Sequence, residues 1–357
     1  MKPQRSRSGT AARVLIPVLG LVTAGCGSGD SDQGDAAEGG TDAPAESCYE
    51  GETATFVVPY PPGGGYDVVA RAFAPGVEEE LGATVVVQNQ PGAGGLTATN
   101  TLFRGEPDGL TFAVLPGIGV LAASLAEVEG AAYDPVEFSF VARVAPDERL
   151  MVTGASTGYA SVDDVLAADE RIRFAATGPG GGDYIDATIV PEILGLDAEV
   201  VAGFEGSGAT ALAVTAGDVD GVFSSAASML AGIEAGDLVP VVVATEERAQ
   251  DLPDVPTVLE LPDLDEDQRA LAEAHAQLAN AGRTIAAPPG VEENCLAELE
   301  AAFEAASENP EVTDALEQAN EHVAFLPGAE LAEVYRSVME DSPEEYVALI
   351  KEAFAGQ

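Results

Sequence analysis

The sequence predicts an α/β protein of two domains, each built on a largely parallel β-sheet with helices on both faces. Short apolar runs rich in β-branched residues alternate with helical stretches along most of the chain, and such alternation builds parallel sheets. Glycine-rich turns within residues 60–67, 89–95 and 177–183 each follow a predicted strand and precede a helix. About 310 residues follow a low-complexity N-terminal region, which is more than one hydrophobic core usually holds.

The N-terminus has the pattern of a bacterial lipoprotein signal. Basic residues precede an apolar segment at residues 14–24, which is too short to span a membrane as a mature helix. Small residues stand immediately before Cys26, so we expect cleavage of a signal peptide at residues 1–25 and lipidation of the Cys26 thiol. The lipid would hold the protein on the outer face of the cytoplasmic membrane. The alternative is an ordinary secreted protein in which Cys26 has no role.

Residues 26–47 are predicted to form a disordered tether, because they are rich in Gly, Ser, Asp, Ala and Glu and nearly free of large apolar residues. The remaining cysteines, Cys48 and Cys295, then stand in an exported protein, where a disulfide is the economical interpretation. Such a bond would return the chain near Cys295 to the first strand. Two unpaired buried thiols are the alternative.

The first α/β unit carries two of the glycine turns. Strands are predicted at residues 54–59 and 84–87, and Asp67 is suited to cap the helix that follows the first turn. Glycines let the backbone approach a ligand, and a helix start offers unpaired N–H groups and the positive end of a dipole. Because ligands of open α/β sheets bind at the carboxyl ends of strands, the two turns predict an anion site. Tight turns without a ligand are the alternative.

Further strands are predicted at residues 111–115, 138–144, 150–153, 173–176, 200–202, 222–224 and 239–244, with helices at residues 184–194 and 209–215. Ser161 and Asp164 fit a weakened capping box where the second α/β unit begins. Past Pro256 the pattern changes. There we predict a polar helix at residues 265–281, a short apolar segment at 284–287, and helices at 291–306 and 331–354.

Several motifs resemble the solute receptors of tripartite tricarboxylate transporters, also called the Bug receptors. These motifs are the runs at residues 59–67, 89–95, 107–111, 204–207, 217–220 and 252–257, and the likeness spans roughly residues 54–350. The chain departs from the family's usual pattern at Gln88, Gln90 and Leu110, in having Asp183 and Tyr184 near a frequent histidine position, and in lacking tryptophan. The resemblance to transport receptors holds despite these departures, but it does not identify the ligand.

The resemblance implies a bilobed fold of the type II periplasmic-binding-protein kind, with two α/β lobes joined by a hinge near residues 145–152 and 256–287. Residues 48–150 together with 283–357 would form lobe 1, and residues 151–282 lobe 2. The ligand is expected between the lobes. The candidate ligand-binding residues are Tyr60, Pro62, Gly63, Gly64, Gly65, Tyr66, Asp67, Ala93, Gly94, Gly95, Thr177, Gly180, Gly181, Asp183, Tyr184, Ser224 and Ser225.

Backbone amides rather than arginines are predicted to hold the anion. Of the 11 basic residues left after the four in the signal are removed from 15, only Arg71 lies near a glycine turn. N–H groups of the turns, hydroxyl groups and bridging waters are therefore expected to surround a carboxylate. Water bridging and the region around Ala93 are also what the resemblance implies.

The charge excludes nucleic acid and anionic lipid as partners. The chain has 61 acidic and 15 basic residues, a net charge of −46, and loss of the four basic signal residues makes it −50. Repulsion of this size is tolerable mainly where salt screens it, so we predict a high-salt habitat. A merely acidic extracellular protein is the alternative.

Catalytic and metal sites find little support. The two histidines, His275 and His322, lie on predicted helices without metal-ligand spacing, so we interpret both as surface residues. The glycine runs match no nucleotide-binding motif. Acidic pairs, such as Asp183 with Asp186 and Asp163 with Asp164, are expected by chance in so acidic a chain. We predict no metal and no cofactor.

The predicted function is that of a monomeric, lipid-anchored receptor that captures a small carboxylate, either a di- or tricarboxylate or another organic acid. The resemblance implies delivery to a membrane permease of the tripartite tricarboxylate type, without enzymatic activity. Two alternatives remain: an extracellular hydrolase of small anionic esters on a similar scaffold, and a ligand receptor that feeds a sensor kinase.

Overall fold

The structure, a computed structural model, describes residues 47–355 of the chain. The predicted signal peptide, the predicted lipidation residue Cys26 and the predicted tether up to residue 46 lie outside the described residues. None of the helices within residues 47–355 is both long and apolar enough to cross a membrane.

Eleven strands are found in the described residues. In chain order they are β1 (Thr53–Val58), β2 (Thr84–Asn89), β3 (Thr111–Pro116), β4 (Ser139–Ala145), β5 (Arg149–Gly154), β6 (Ile172–Ala176), β7 (Ala198–Ala202), β8 (Gly221–Ser225), β9 (Leu238–Val243), β10 (Arg283–Ala287) and β11 (Leu326–Pro327). The predicted strands and the predicted apolar segment at residues 284–287 are all confirmed, whereas the very short β11 was not predicted.

Twelve α-helices are found in the same residues. They are α1 (Gly65–Leu81), α2 (Leu96–Phe103), α3 (Gly117–Leu125), α4 (Val162–Leu166), α5 (Gly182–Leu194), α6 (Ser207–Ala216), α7 (Ala226–Ala235), α8 (Glu266–Leu278), α9 (Glu293–Glu308), α10 (Pro310–Glu317), α11 (Gly328–Asp341) and α12 (Glu344–Ala355). The single helix predicted at residues 331–354 is wrong. Ser342 is extended, with ψ 132°, because Pro343 disfavours a helical conformation in the residue before it.

The predicted N-cap of α1 is also wrong. The helix begins at Gly65 and its N-cap is Gly64, so Asp67 lies inside the first turn. From there the Asp67 carboxylate reaches back and accepts a hydrogen bond from the Gly63 N–H at 2.8 Å. The start of α4 is as predicted, with Ser161 as N-cap accepting from the Asp164 N–H at 3.3 Å.

The strands form two mixed sheets. The first has six strands in the order β11-β4-β10-β3-β1-β2, and the second has five in the order β7-β6-β8-β5-β9. β1 is parallel to β2 and β3, and β6 is parallel to β7 and β8. In contrast, β10 is antiparallel to β3 and β4, and β5 is antiparallel to β8 and β9. The sheets are less parallel than predicted. β5 and β10 run antiparallel to their neighbours, and each is the first strand after the chain crosses from one sheet to the other.

We call the elements around the six-stranded sheet the first lobe and those around the five-stranded sheet the second lobe. The chain passes from β4 of the first lobe to β5 of the second at residues 146–148. It returns to the first lobe at β10, after a short helical turn and Gly282 at residues 279–282. The C-terminal helix α12 packs against α3 of the first lobe and against α5 and α8 of the second. The predicted division into separate domains, residues 48–150 plus 283–357 and residues 151–282, stays a prediction.

An aromatic cluster holds α1 and α9 on the first sheet. Phe56 and Phe112 on the sheet lie with their ring centroids 5.0 Å apart, and Phe303 of α9 lies 5.7 Å from each of them. Phe73 of α1 lies 5.8 Å from Phe303, and all four side chains are fully buried. The cluster therefore fixes α1, and with it the first glycine turn, at the carboxyl end of β1.

A disulfide joins Cys48 to Cys295 of α9, with Cα atoms 5.5 Å apart. Tyr49 beside it is fully buried and donates a hydrogen bond to the Cys295 carbonyl at 3.2 Å. The bond lies near Thr53, at the amino end of β1. It therefore ties down the end of this strand opposite the first glycine turn.

Candidate ligand-binding site

A cavity of about 180 Å³ lies between the lobes, where the turns that follow β1, β6, β7 and β8 meet. Residues of both lobes line it: Tyr60, Pro61, Pro62, Gly63, Gly64, Gly65, Tyr66, Arg149, Thr177, Gly182, Asp183, Glu205, Gly206, Ser207, Gly208, Ser224, Ser225 and Ser228. The cavity is smaller than the roughly 300–1,000 Å³ of sites for drug-sized ligands, so it suits a small molecule.

The structure brings ten of the predicted ligand-binding residues together in this wall. They are Tyr60, Pro62, Gly63, Gly64, Gly65, Tyr66, Thr177, Asp183, Ser224 and Ser225. The other predicted residues are not part of the wall, and they are Asp67, Ala93, Gly94, Gly95, Gly180, Gly181 and Tyr184. Contact of either group with a ligand stays a prediction.

Four helices, α1, α5, α6 and α7, begin at the cavity. Their N-cap residues are Gly64, Gly181, Gly206 and Ser225, and no N-cap side chain bonds the first turn. The first N–H groups of a helix have no partner within it, and the helix dipole makes that end positive. The Ala226 N–H already donates to the Glu148 carbonyl at 2.9 Å, so α7 contributes its dipole more than its donors. Together the four helix starts form an environment suited to a carboxylate.

The cavity is narrow where Gly64 of the first lobe faces Ser207 of the second. A Cβ atom on Gly64 would lie 3.6 Å from the Ser207 hydroxyl oxygen. The backbone of Gly64 is extended, with φ −83°, so this glycine leaves room rather than adopting a special conformation. Gly206, with φ +85°, does need the conformational freedom of glycine.

Arg149 is the cationic side chain in the cavity wall, and sequence reasoning missed it. It lies at the start of β5 and is 5% exposed. Its guanidinium packs under Gly182, where a Cβ atom would lie 3.4 Å from Arg149 Cζ. Burial lowers the pKa of Arg149, but the nearby carboxylates of Asp186 and Asp147 outweigh burial and raise it above its ordinary value. A permanent positive charge therefore faces the cavity, in addition to the predicted amides.

The interpretation of His275 as a surface residue is wrong. His275 is 4% exposed, and its Nε2 lies 3.0 Å from Oδ1 of the fully buried Asp186. The other oxygen of Asp186 accepts from Arg149 Nε at 2.6 Å. Burial raises the pKa of Asp186, but Arg149 and His275 together hold it below its ordinary value. His275 was misassigned because its face of the polar helix α8 turns inward, which only packing decides.

A second buried arginine lies just behind the first glycine turn. Arg283 of β10 is 1% exposed, pairs with Glu321, and lies over the Tyr66 ring at 5.2 Å. The Tyr66 hydroxyl donates to Asp147 at 3.1 Å. Burial raises the pKa of Tyr66 well above its usual value, so its hydroxyl stays neutral. This group contacts the first turn beside the cavity wall, since a Cβ atom on Gly65 would lie 2.9 Å from Arg283 Nη2 and 3.2 Å from the Ser228 hydroxyl oxygen.

Arg71, the one arginine considered from the sequence, points away from the cavity. It donates to Asp67 at 2.9 Å and to Asn89 at 3.0 Å. Burial raises the pKa of Asp67, but hydrogen bonds from Arg71 and Asn89 more than compensate and lower it. Arg71 and Asp67 therefore brace the first turn from outside, and the absence of a ligand clamp at Arg71 stays a prediction.

Asp183 braces the third glycine turn in a similar way, although it also lines the cavity. Its carboxylate accepts from the Thr177 N–H and the Thr177 hydroxyl, both at 2.7 Å, and from the Tyr184 N–H at 2.9 Å. Burial nevertheless raises the pKa of Asp183. Tyr184 turns into the core, where its ring lies 5.4 Å from that of Phe354 on α12.

The second glycine turn forms a contact between the lobes and is not part of the wall of the 180 Å³ cavity. Ala93 accepts a hydrogen bond from the Gly180 N–H at 3.3 Å. A Cβ atom on Gly94 would lie 2.4 Å from the Gly181 nitrogen, and one on Gly119 would lie 1.9 Å from the Gly180 carbonyl oxygen. We call this contact between Ala93, Gly94, Gly119, Gly180 and Gly181 the glycine seam. Beside it lies an opening of about 500 Å³, lined partly by Ala93 and Phe204.

The second histidine, His322, was predicted on a helix but lies in the irregular segment between α10 and β11. Its Nε2 is 2.8 Å from Asp251 Oδ2, so it joins this segment to the loop that follows β9. Across residues 47–355, no three His, Cys, Asp or Glu side chains are grouped closely enough to hold a metal ion.

Comparison with known protein families gives one match that covers most of the chain. The description "Tripartite tricarboxylate transporter family receptor" matches residues 69–352. Protein BugT of Bordetella pertussis is 27% identical over 218 residues, which are 60% of this chain and 67% of that protein.

Two solved structures from Rhodopseudomonas palustris share the fold. MatC with bound malate has a TM-score of 0.69 at 23% identity, covering 84% of this chain and 99% of that one. Rpa4515 with adipate has a TM-score of 0.69 at 21% identity, covering 84% of this chain and 97% of that one. The predicted fold, two α/β lobes of the periplasmic-binding-protein kind, is thereby confirmed.

Proposed function

Since the chain belongs to the tripartite tricarboxylate transporter receptor family, we propose that it captures a small di- or tricarboxylate between its lobes and delivers it to a membrane permease. The family and the structural neighbours are extracytoplasmic solute-binding receptors rather than enzymes, so the hydrolase alternative loses its support. The ligand class, the permease and the lipid anchor are the parts that we propose.

The convergence of four helix starts and Arg149 on one small cavity carries this proposal. The chain has a net charge of −46, so an anion must be attracted by a local arrangement of dipoles and donors. The starts of α1, α5 and α6 offer N–H groups, and the guanidinium of Arg149 offers a planar fork that matches a carboxylate. Hydroxyl groups of Ser207, Ser224 and Ser228 line the same wall and adapt to either donor or acceptor.

The dimensions favour a short dicarboxylate. Malate and adipate are the molecules bound in the two structures of similar fold, and both carry a carboxylate at each end. In this chain, one carboxylate would enter the cavity of about 180 Å³ beside Arg149. The rest of a longer ligand would extend past Tyr60 toward the adjoining opening of about 500 Å³.

Thermal shift tests the ligand class directly. A ligand that binds only the folded protein stabilises it by about 2.7 kcal/mol at a hundredfold excess over Kd. We expect C4 to C6 dicarboxylates to raise the melting temperature, and mass spectrometry should recover the released ligand unchanged. The chain contains no tryptophan, so an extrinsic dye or calorimetry is needed. A panel in which sugars or cations alone shift the melt would overturn the carboxylate assignment.

Substitution of Arg149 tests the charged anchor. Arg149→Lys keeps the charge but loses the fork, so we expect dicarboxylate affinity to fall about tenfold or more. Arg71→Gln is the matched control, because Arg71 is half-exposed and bonded outside the cavity. Equal affinity loss in both variants would contradict the assignment of Arg149.

The lipid anchor is proposed from the pattern that ends at Cys26. We expect Cys26→Ser to release the protein from the membrane while dicarboxylate binding is unchanged. Retention of that variant in the membrane fraction would refute the anchor. For the permease, genes for one large and one small membrane subunit beside this gene are the expected observation, whereas a sensor kinase there would favour the alternative.

A further inference from the structure

A line of four buried polar side chains runs from the cavity wall to the C-terminal helix. Arg149 Nε donates to Asp186 Oδ2 at 2.6 Å, and Asp186 Oδ1 lies 3.0 Å from His275 Nε2. His275 Nδ1 lies 2.8 Å from the Tyr346 hydroxyl. The four residues come from β5, α5, α8 and α12, and each is at least 95% buried. We call them the Arg149 relay.

The relay fixes the orientation of the guanidinium. The remaining contacts of Arg149 are long, 3.5 Å from Nη1 to Asp147 and 3.4 Å from Nη2 to the Phe223 carbonyl. The 2.6 Å bond to Asp186 is therefore the contact that holds the Nε edge, while the side chain lines the cavity. A carboxylate rotates readily about its last torsion, so the second bond, from His275, is what keeps Asp186 in place.

The same geometry assigns the tautomer of His275. Asp186 accepts a hydrogen bond from Nε2–H, and in this tautomer Nδ1 accepts a hydrogen bond from the Tyr346 hydroxyl. Tyr346 is fully buried and belongs to α12, which packs against both lobes. The orientation of the Arg149 guanidinium thus depends on the position of α12 relative to α5 and α8.

We propose that Asp186 and His275 are positioning residues that hold Arg149 in the orientation that receives the ligand's carboxylate, and that Tyr346 links this orientation to α12. The inference rests on the proposed function, because it concerns binding of a carboxylate. It goes beyond that function in assigning a role to three side chains that do not line the cavity.

The relay crosses a part of the second lobe where apolar packing would be expected. Val190, Ile193, Val258 and Leu259 line a small gap beside His275. A buried ion pair gives little or no net stability relative to apolar residues of similar volume, since desolvation offsets the attraction. Stability alone therefore gives a weak reason for these four polar side chains, whereas orientation of a cavity arginine gives a direct one.

The chain offers a matched control for Tyr346. Tyr335 of α11 is also fully buried, and its hydroxyl donates to the Thr284 hydroxyl at 3.0 Å, away from the relay. Tyr346→Phe and Tyr335→Phe remove the same atom from two neighbouring C-terminal helices. A loss of stability is expected in both, and a loss of affinity only in Tyr346→Phe.

Calorimetric titration with malate and adipate measures the effect. We expect Tyr346→Phe to weaken binding about threefold to tenfold and Asp186→Asn about tenfold to a hundredfold, since bonds to charged groups are the stronger ones. Tyr335→Phe should bind like the wild type. His275→Gln keeps a donor for Asp186 and should bind more tightly than His275→Leu.

Nuclear magnetic resonance of the ligand-free protein tests the relay without a ligand. The chain has two histidines, so its imidazole signals are readily assigned. We expect His275 to show the Nε2–H tautomer, and the Arg149 Nε–H signal to move in Tyr346→Phe but not in Tyr335→Phe.

Two outcomes separate this inference from the proposed function. If the wild type binds dicarboxylates and Tyr346→Phe, His275→Leu and Asp186→Asn bind them equally well, the positioning role is overturned and the proposed function stands. If the wild type binds none of them, the proposed function is overturned. In that case an unmoved Arg149 Nε–H signal in Tyr346→Phe overturns the relay as well.

Discussion

At the scale of single residues, two glycines leave space in the site. Gly64 leaves the gap to Ser207 open, and Gly182 lets the Arg149 guanidinium lie directly under the start of α5. Neither residue has a positive φ, so both serve for space rather than for an unusual backbone. A Cβ atom on Gly64 would lie 3.6 Å from its nearest neighbour and one on Gly182 would lie 3.4 Å from its own, both ordinary contact distances, so a side chain larger than alanine is needed to fill this space.

The first prediction concerns Gly64. Its extended backbone accepts any residue, so Gly64→Val should change the free energy of unfolding by less than about 1 kcal/mol. The valine methyl groups, however, would fill the space toward Ser207, and we expect no measurable dicarboxylate binding by calorimetry. Gly64→Ala is the graded control, because its Cβ would lie at an ordinary contact distance of 3.6 Å from the Ser207 hydroxyl. Full affinity in Gly64→Val would show that the ligand does not occupy this gap.

At the scale of elements, turns and helix starts decide how the lobes meet. The first turn and the ends of the third turn face the cavity, whereas the second turn, the start of α3 and Gly180 with Gly181 of the third turn form the glycine seam. The Gly180 N–H bonds to the Ala93 carbonyl across this seam at 3.3 Å. The seam brings the two lobes together on one side of the cavity. We therefore expect it to affect how closely the lobes approach each other more than direct contact with the ligand.

The second prediction tests the seam with Gly119→Ala. The new Cβ would lie 1.9 Å from the Gly180 carbonyl oxygen, so the lobes cannot approach as they do in this structure. Alanine is favoured over glycine in a helix by about 1 kcal/mol, so α3 itself should not be weakened. We expect small-angle scattering to show a radius of gyration that no longer shrinks when ligand is added. Normal closure in this variant would mean that the seam is incidental.

The third prediction concerns the disulfide between Cys48 and Cys295. It closes a loop with a sequence separation of 247, for which chain entropy gives an upper bound of about 5 kcal/mol. Replacing both cysteines by serine should lower the melting temperature, and reductant should do the same to the wild type. Dicarboxylate affinity should be unchanged, since the bond lies at the end of β1 opposite the cavity. A melting temperature insensitive to reductant would contradict this role.

At the scale of the whole molecule, charge is the dominant feature. The surface carries most of 61 acidic residues, and exposed ion pairs such as Arg171 with Asp197 neutralise few of them. The buried charges behave differently, since Arg149 and Arg283 are each paired with carboxylates inside the protein. Long-range repulsion therefore acts between the exposed carboxylates, whereas the buried arginines are held by attraction to neighbouring carboxylates.

The fourth prediction is that stability falls as salt is removed. The Debye length grows from about 3 Å at 1 M to about 10 Å at 0.1 M, so repulsion between surface carboxylates increases. We expect the melting temperature to decrease over this range of NaCl. The dependence should shrink near pH 4, close to the sequence pI of about 4.1, where protonation reduces the charge. A flat profile at neutral pH would reject the high-salt habitat.

The sequence by itself determined ten of the eleven strands, several of the helices, the family and the glycine turns. These are local properties: β-branched runs, strand-to-helix turns and family motifs are readable without knowledge of the partners. All three glycine turns were predicted together as one site. The structure brings Gly64, Tyr66 and Thr177 to one cavity, whereas residues 93–95 of the second turn are not part of its wall.

The tertiary structure alone decided which charged residues enter the core. Arg149, His275 and Arg283 are far from the glycine turns in sequence, and each becomes buried only because β5, α8 and β10 pack against elements distant in the chain. The same packing made the sheets mixed and turned Gly94 into a contact between lobes. A charged side chain can be buried only when other elements supply carboxylates or hydrogen-bond partners for it, and the local sequence does not show which elements these are.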